Sequence, residues 1–84
     1  MDYVGCPVVS LAGRDKGFYF CVIGADGEHL LLADGRHRRI DNPKRKKLKH
    51  LLFIDAAAYS GPLTNKAVWA YLRDIRNSNG QVST

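Results

Sequence analysis

Over the first two thirds of the chain apolar residues come in short, alternating runs, and over the last third they recur at helical spacing. Cys6, Val8, Val9 and Leu11 form a brief apolar run that stops at the glycine-bearing stretch 12–17, which predicts a first strand over 5–11. The pattern restarts at Phe18. Phe18, Phe20 and Val22 fall on one face and Tyr19, Cys21 and Ile23 on the other, so the strand over 18–23 calls for cover on both sides. Asp26 followed by Gly27 is a strong hairpin signal, both positions tolerating the positive φ of a type I′ turn, so 29–33 pairs back. Asp34 and Gly35 repeat the signal and lead into a strand over 36–40 with alternating basic side chains, ended by Asn42 and Pro43. Residues 44–50 are too basic for a core element and read as a loop, with Leu48, Leu51 and Phe53 as apolar anchors, feeding a closing strand over 51–54. Five short strands joined by tight turns predict a small barrel, a mostly β fold over 1–54.

Past Asp55 the signals turn helical. Gly61 and Pro62 break the chain, Thr64 is placed to cap, and Ala67, Val68, Tyr71, Leu72 and Ile75 follow at helical spacing, predicting one helix over 65–76. Its apolar stripe is a packing face against the barrel or a face for a partner. The polar residues 77–84 have nothing to bury and are expected to fray, so 55–84 reads as a helical extension.

Charge changes the picture more than composition does. Of the 13 Lys and Arg, eight lie between Arg36 and His50, where Asp41 is the single acid; elsewhere acids slightly outnumber bases. Such a basic segment in an otherwise faintly acidic domain is the footprint of a polyanion partner. Each Lys or Arg set against a phosphate releases a counterion, and arginine adds bidentate and stacking contacts suited to irregular RNA. A basic run drawn to anionic lipid fits an amphipathic helix better than a segment interrupted by Pro43. No apolar run approaches the roughly 18 residues of a membrane helix. The first residues show neither a basic start nor an apolar stretch, so the expected location is cytoplasmic, where Cys6 and Cys21 pack as small apolar residues.

Catalysis and metal binding find little support. His29, His37 and His50 share no short ligand spacing with each other or with the cysteines, Ser10 lacks the Gly-x-Ser-x-Gly elbow, and Cys6 precedes a proline in a strand. The expectation is a binding protein, not an enzyme, with no cofactor and no metal. Gly13 and Gly17 bracket Arg14, Asp15 and Lys16 in a turn whose amides and cations suit a phosphate; the same residues also fit a solvated connection whose glycines only supply permissive φ. Tyr3, Tyr19, Tyr59 and Trp69 are candidates for base stacking on an exposed face, but core packing is the favoured reading, with Trp69 covering the barrel or helix seam.

Val8, Val9 and Ser10, then 12–17 (Ala-Gly-Arg-Asp-Lys-Gly), then the alternation of 18–23, resemble a KOW motif, an RNA-binding ribosomal signature. The continuation through Leu32, Ala33, Asp34, Gly35, Arg38 and Arg39 to Pro43 and the basic run ending at His50 and Leu51 is similar to the ribosomal fourteen-e-type large-subunit proteins and their short bacterial relatives. The resemblance covers about residues 4–54, and the capped helix after a glycine-containing turn is a less specific likeness. It implies an SH3-like barrel that binds ribosomal RNA, with the 13–17 loop and the basic segment on the RNA side. Gly17 matches the glycine most characteristic of the motif. On this reading Arg14, Lys16, Arg36, Arg38, Arg39, Lys44, Arg45, Lys46, Lys47 and Lys49 contact phosphates, Gly13 and Gly17 shape the loop, Asp15 orients it, and His50 stacks or donates. The expected partners are structured RNA, chiefly ribosomal RNA, and neighbouring ribosomal proteins, with no membrane and a monomer off the ribosome. Two other readings use the same barrel: an adaptor that holds a peptide, and an accessory factor of transcription elongation, since KOW barrels occur in such factors as well.

Overall fold

The structure, a computed structural model, describes residues 2–82, with side-chain surroundings for 2–78. The strands are β1 (Pro7–Ser10), β2 (Tyr19–Asp26), β3 (His29–Ala33), β4 (Lys44–Lys47) and β5 (Leu51–Phe53), and the helix is α1 (Asn65–Val82). All strand pairs are antiparallel, in the spatial order β4-β3-β2-β1-β5, and a single 3-10 turn, Leu48–His50, joins β4 to β5. The sheet curls strongly. Two strands separate β4 from β1 in the ladder, yet the Lys46 ammonium on β4 donates to Ser10 Oγ on β1 at 2.8 Å. This is a mostly β, small SH3-like five-stranded barrel with a C-terminal helix: the short strands and tight turns predict the small barrel, and the KOW resemblance implies its SH3-like form.

The interior is filled by Val8, Phe20, Val22, Leu30, Leu32 and Leu51, every second residue along the strands, with Tyr3, Cys6 and Phe53 at its edge. The outer face of β2 is covered by α1: Cys21, Val68 and Leu72 form a second buried cluster with Tyr19, Ile40, Tyr59 and Tyr71 around it. β2 is therefore buried on both faces, and the helix stripe meets the barrel. Thr64 caps the helix as expected, its Oγ1 accepting from the Ala67 N–H at 3.2 Å. The segment between β5 and α1 is tied down by Tyr71 Oη donating to the Ala57 carbonyl and Tyr59 Oη to the Pro62 carbonyl, both at 2.6 Å. No helix of the described residues is long and apolar enough to cross a membrane.

Several boundaries differ from those read in the sequence. The fourth strand is Lys44–Lys47, not 36–40. Asp34 is the reason: its Oδ1 accepts from the backbone N–H groups of Arg36 and Arg38 at 2.9 and 2.8 Å, so two donors a strand would place in a ladder turn inward on one carboxylate. Lys44–Lys47 is a strand despite its charge because it is an edge strand, paired on one side only, where cations find solvent or a carboxylate. The hairpin after β2 has Asp26 paired with His29, leaving Gly27 and Glu28 as the loop; of these only Gly27 takes positive φ, 62°, which is the II′ pattern and not I′. Phe18 precedes the strand and is 42% exposed, so it does not share the interior with Phe20 and Val22, and Leu48, expected as an anchor, is 43% exposed in the 3-10 turn. The helix continues beyond 76 to Val82; the rest of the tail expected to fray, 83–84, lies outside the described residues.

Candidate nucleic-acid interface

The loop between β1 and β2 is built around Asp15. Backbone bonds close it, with Gly17 N–H donating to the Ser10 carbonyl at 2.8 Å, Ser10 N–H to Phe18 at 3.0 Å and Phe18 N–H to Asp15 at 2.9 Å. Gly17 takes φ 88°. Nothing lies within 4 Å of where a Cβ would stand there, so the turn requires glycine for its left-handed backbone and not for space. The Asp15 side chain folds back under the loop, where Oδ1 accepts from Ser10 Oγ at 2.7 Å and from Lys46 Nζ at 2.6 Å. Lys46 Nζ also donates to the Ala12 carbonyl at 2.7 Å, which uses all three of its protons together with the bond to Ser10 Oγ. Asp15 Oδ2 makes no hydrogen bond and faces Lys44 Nζ at 3.4 Å. Burial pushes the Asp15 carboxyl up, but the bonds from Lys46 and Ser10 and the charges of Lys46 and Lys44 outweigh it and hold the pKa at about 2.

This clamp sorts the expected phosphate contacts. Lys46 keeps only 10% of its side chain exposed and is a structural cation, and Lys44 on the same face of β4 is directed to the same carboxylate. Arg14 and Lys16 stand exposed at the loop. The opposite alternation of β4 exposes Arg45 and Lys47, with Lys49 exposed in the turn that follows. Arg45 meets Asp26 at 2.8 Å in a pair more than half exposed on both sides, a contact of little net worth that a phosphate can displace. His50 is half-buried, and its carbonyl accepts from the Leu11 N–H. Because His29 is in register with Lys47, the sheet adds a residue to this basic edge that the linear sequence did not: His29, Arg45, Lys47, Lys49 and His50 share one open cleft, with Lys46 also in its lining.

The second group of cations lies on the turn after β3. Asp34, 2% exposed, is its centre: besides the two amides it receives, His37 Nδ1 lies 2.9 Å from Oδ2. Burial opposes ionisation of Asp34, and the amides of Arg38 and Arg36 with the His37 ring more than reverse this, lowering its pKa. Since an ionised carboxylate only accepts, His37 Nδ1 carries the proton. Gly35, φ 85°, is packed so closely that a Cβ would collide with the Asn65 carbonyl, and Asn65 Oδ1 accepts from the Ile40 N–H at 2.8 Å, so the start of α1 and this turn hold each other. Arg36, Arg38 and Arg39 line an open cleft with Asp41 and Asn42. Arg38 donates to the Asn42 carbonyl at 3.3 Å, and Arg39 comes only within 4.0 Å of Asp41.

Three of the four aromatic candidates pack, as the core-packing reading expects. Tyr3 packs on Phe53, Tyr59 on Tyr71, and Tyr19 in the cluster under α1. Trp69 instead carries the guanidinium groups of Arg36 and Arg76 over its ring at 4.3 and 4.8 Å, with the His37 ring edge-on at 6.0 Å. Among the described residues no three His, Cys, Asp or Glu side chains gather as a metal site. Compared with models of known protein families and with curated protein sequences, the chain gives no significant match.

Proposed function

We propose that this is a cytoplasmic RNA-binding protein that associates with ribosomal RNA, chiefly on the large subunit, and acts in translation or ribosome assembly by binding alone. The observation that carries this reading is that Arg14, Lys16, Arg36, Lys47 and Lys49 are exposed cations with no carboxylate partner among the described residues. The acids near the basic segment are engaged by other residues, Asp15 by Lys44 and Lys46, Asp34 by two backbone amides and His37, Asp26 by Arg45 and Asp41 by Arg39, so none is paired with these five cations. Exposed cations without carboxylate partners are what phosphate binding by counterion release uses. The likeness of the 12–17 loop and the basic segment to the KOW and fourteen-e-type patterns selects ribosomal RNA among polyanions. Sedimentation of the tagged protein through sucrose at low and high salt, with and without ribonuclease, is the test. Ribonuclease-sensitive cofractionation with the large subunit is the expected result. A protein that stays at the top of the gradient in every condition overturns the reading in favour of a peptide adaptor, and cosedimentation with RNA polymerase makes it an elongation accessory.

A further inference from the structure

A further cleft adjoins the turn after β3 and shares His37 with the cleft of Arg36, Arg38 and Arg39. It is about 220 Å³ in volume, lies where the end of the 11–18 loop, the turn after β3 and the middle of α1 converge, and is lined by Gly17, Phe18, Tyr19, Asp34, His37 and Arg76. This is below the roughly 300 Å³ at which small-molecule sites ordinarily begin, so it has room for one planar ring system and not for a cofactor. Its walls are suited to such a ring. Phe18 is a large apolar side chain left 42% exposed, and the His37 ring stands 5.5 Å from it at 59°. The bond to Asp34 fixes the His37 ring in place. Gly17 leaves the space above the loop open, since nothing approaches its missing Cβ within 4 Å. The single acid in the lining, Asp34, has its oxygens engaged by the backbone amides of Arg36 and Arg38 and by the His37 ring, so it is not free to accept from an incoming ring, and the cations at the cleft are Arg76 in its lining and Arg36 beside it on Trp69. Trp69 is a positioning residue: by taking Arg36 and Arg76 over its ring it holds two guanidinium groups near the cleft, one of them in its lining.

An aromatic slot with a cationic surround is complementary to a planar base carried on a phosphate chain, because stacking satisfies the ring and the guanidinium groups satisfy the backbone. We infer that this cleft takes one unpaired nucleobase of the bound RNA, stacked on Phe18 beside His37, with Arg36 and Arg76 meeting the adjacent phosphates. The inference rests on the RNA-binding reading and adds to it a contact with a base, where the cationic edges supply contacts with phosphate.

The test uses the full chain and an oligoadenylate of about ten nucleotides, within the span of about 4–16 that small single-strand-binding barrels cover, beside the same ribose-phosphate backbone without bases. The expected result is binding to oligoadenylate about five- to 150-fold tighter than to the abasic strand at one salt concentration, the range a single base stack supplies. Phe18→Ala removes that preference while leaving the abasic affinity and its salt dependence unchanged, and Phe18→Tyr retains it. Equal affinity of the native chain for the two strands overturns the base site and leaves the RNA-binding reading intact, with no variant needed. A preference that survives Phe18→Ala overturns it as well, by moving the stack elsewhere, as does tighter binding of an acidic aromatic peptide than of either strand. Failure to bind either strand overturns the base site, while the RNA-binding reading stands or falls separately on the sedimentation test.

Discussion

At Asp15 two forces of opposite sign act on one carboxylate, and the winner sets a pH dependence. Desolvation disfavours the charge, while Lys46, Ser10 and Lys44 favour it more strongly, so the folded pKa of about 2 lies below the ordinary 3.8. A depressed folded pKa contributes stability that is complete above the unfolded value and is lost as pH falls from about 4 through about 2; the difference is worth about 2 kcal/mol. Asp34 adds in the same direction. Urea unfolding at pH 6 and near pH 2 is expected to show a smaller acid loss for Asp15→Asn than for the native chain, by about 2 kcal/mol; equal losses exclude the clamp. The two turn glycines separate strain from collision. Gly17→Ala meets only the cost of a left-handed backbone, about 1–2 kcal/mol, because the space is open. Gly35→Ala adds a clash with the Asn65 backbone and is expected to cost at least about 2 kcal/mol more, measured by the same unfolding curves.

At the scale of elements, α1 is part of the domain and not an appendage. Val68 and Leu72 are fully buried against Cys21 on the outer face of β2, and the helix start is bound to the turn after β3 through Asn65. The Cys21 thiol, driven up to about 11 by burial and by the neighbouring Cys6, is a packing group at neutral pH and not a nucleophile. Leu72→Ala is expected to destabilise the whole chain by about 2–5 kcal/mol in one cooperative transition, since the cavity opens at the seam between helix and barrel. Thr64→Ala removes one cap bond and costs about 1 kcal/mol. A barrel transition unaffected by Leu72→Ala excludes the coupling. The edge strand β4 divides its work by the two-residue period: one alternation holds the first loop through Lys44 and Lys46, and the other presents Arg45 and Lys47 outward.

For the whole molecule, that division predicts two phenotypes from one basic run. Lys47→Ala and Lys49→Ala are each expected to flatten the logarithmic salt dependence of RNA affinity by about 0.7–0.9 without loss of stability. Lys46→Ala is expected to do the reverse, leaving the salt slope unchanged while destabilising the fold by about 2–3 kcal/mol, because Asp15 loses its main partner in a buried place. Fluorescence titration across a salt series together with thermal melts distinguishes the two. A Lys46 variant that melts normally and loses slope makes that residue a phosphate contact after all. Curvature of the sheet carries the effect, since β4 reaches β1 only because the barrel nearly closes.

The order of residues by itself determined four of the five strands, the hairpin between β2 and β3, the two-faced burial of β2, the helix start at Thr64 and the concentration of positive charge between 36 and 50. Each of these follows from period, turn chemistry or composition, which are local and act before any contact forms. What the tertiary structure decided is where a polar residue finds its partner. Residues 36–40 alternate as a strand would, but Asp34 captures their amides; 44–47 looks unfit for a sheet, but its alternate lysines meet a carboxylate brought from the first loop. For the same reason the linear pattern did not show that Lys46 is turned inward, that His29 joins the basic edge, or that Phe18, His37 and Arg76 line one cleft. Charge is legible along a chain, whereas its neutralisation depends on distances between elements that only the folded barrel fixes.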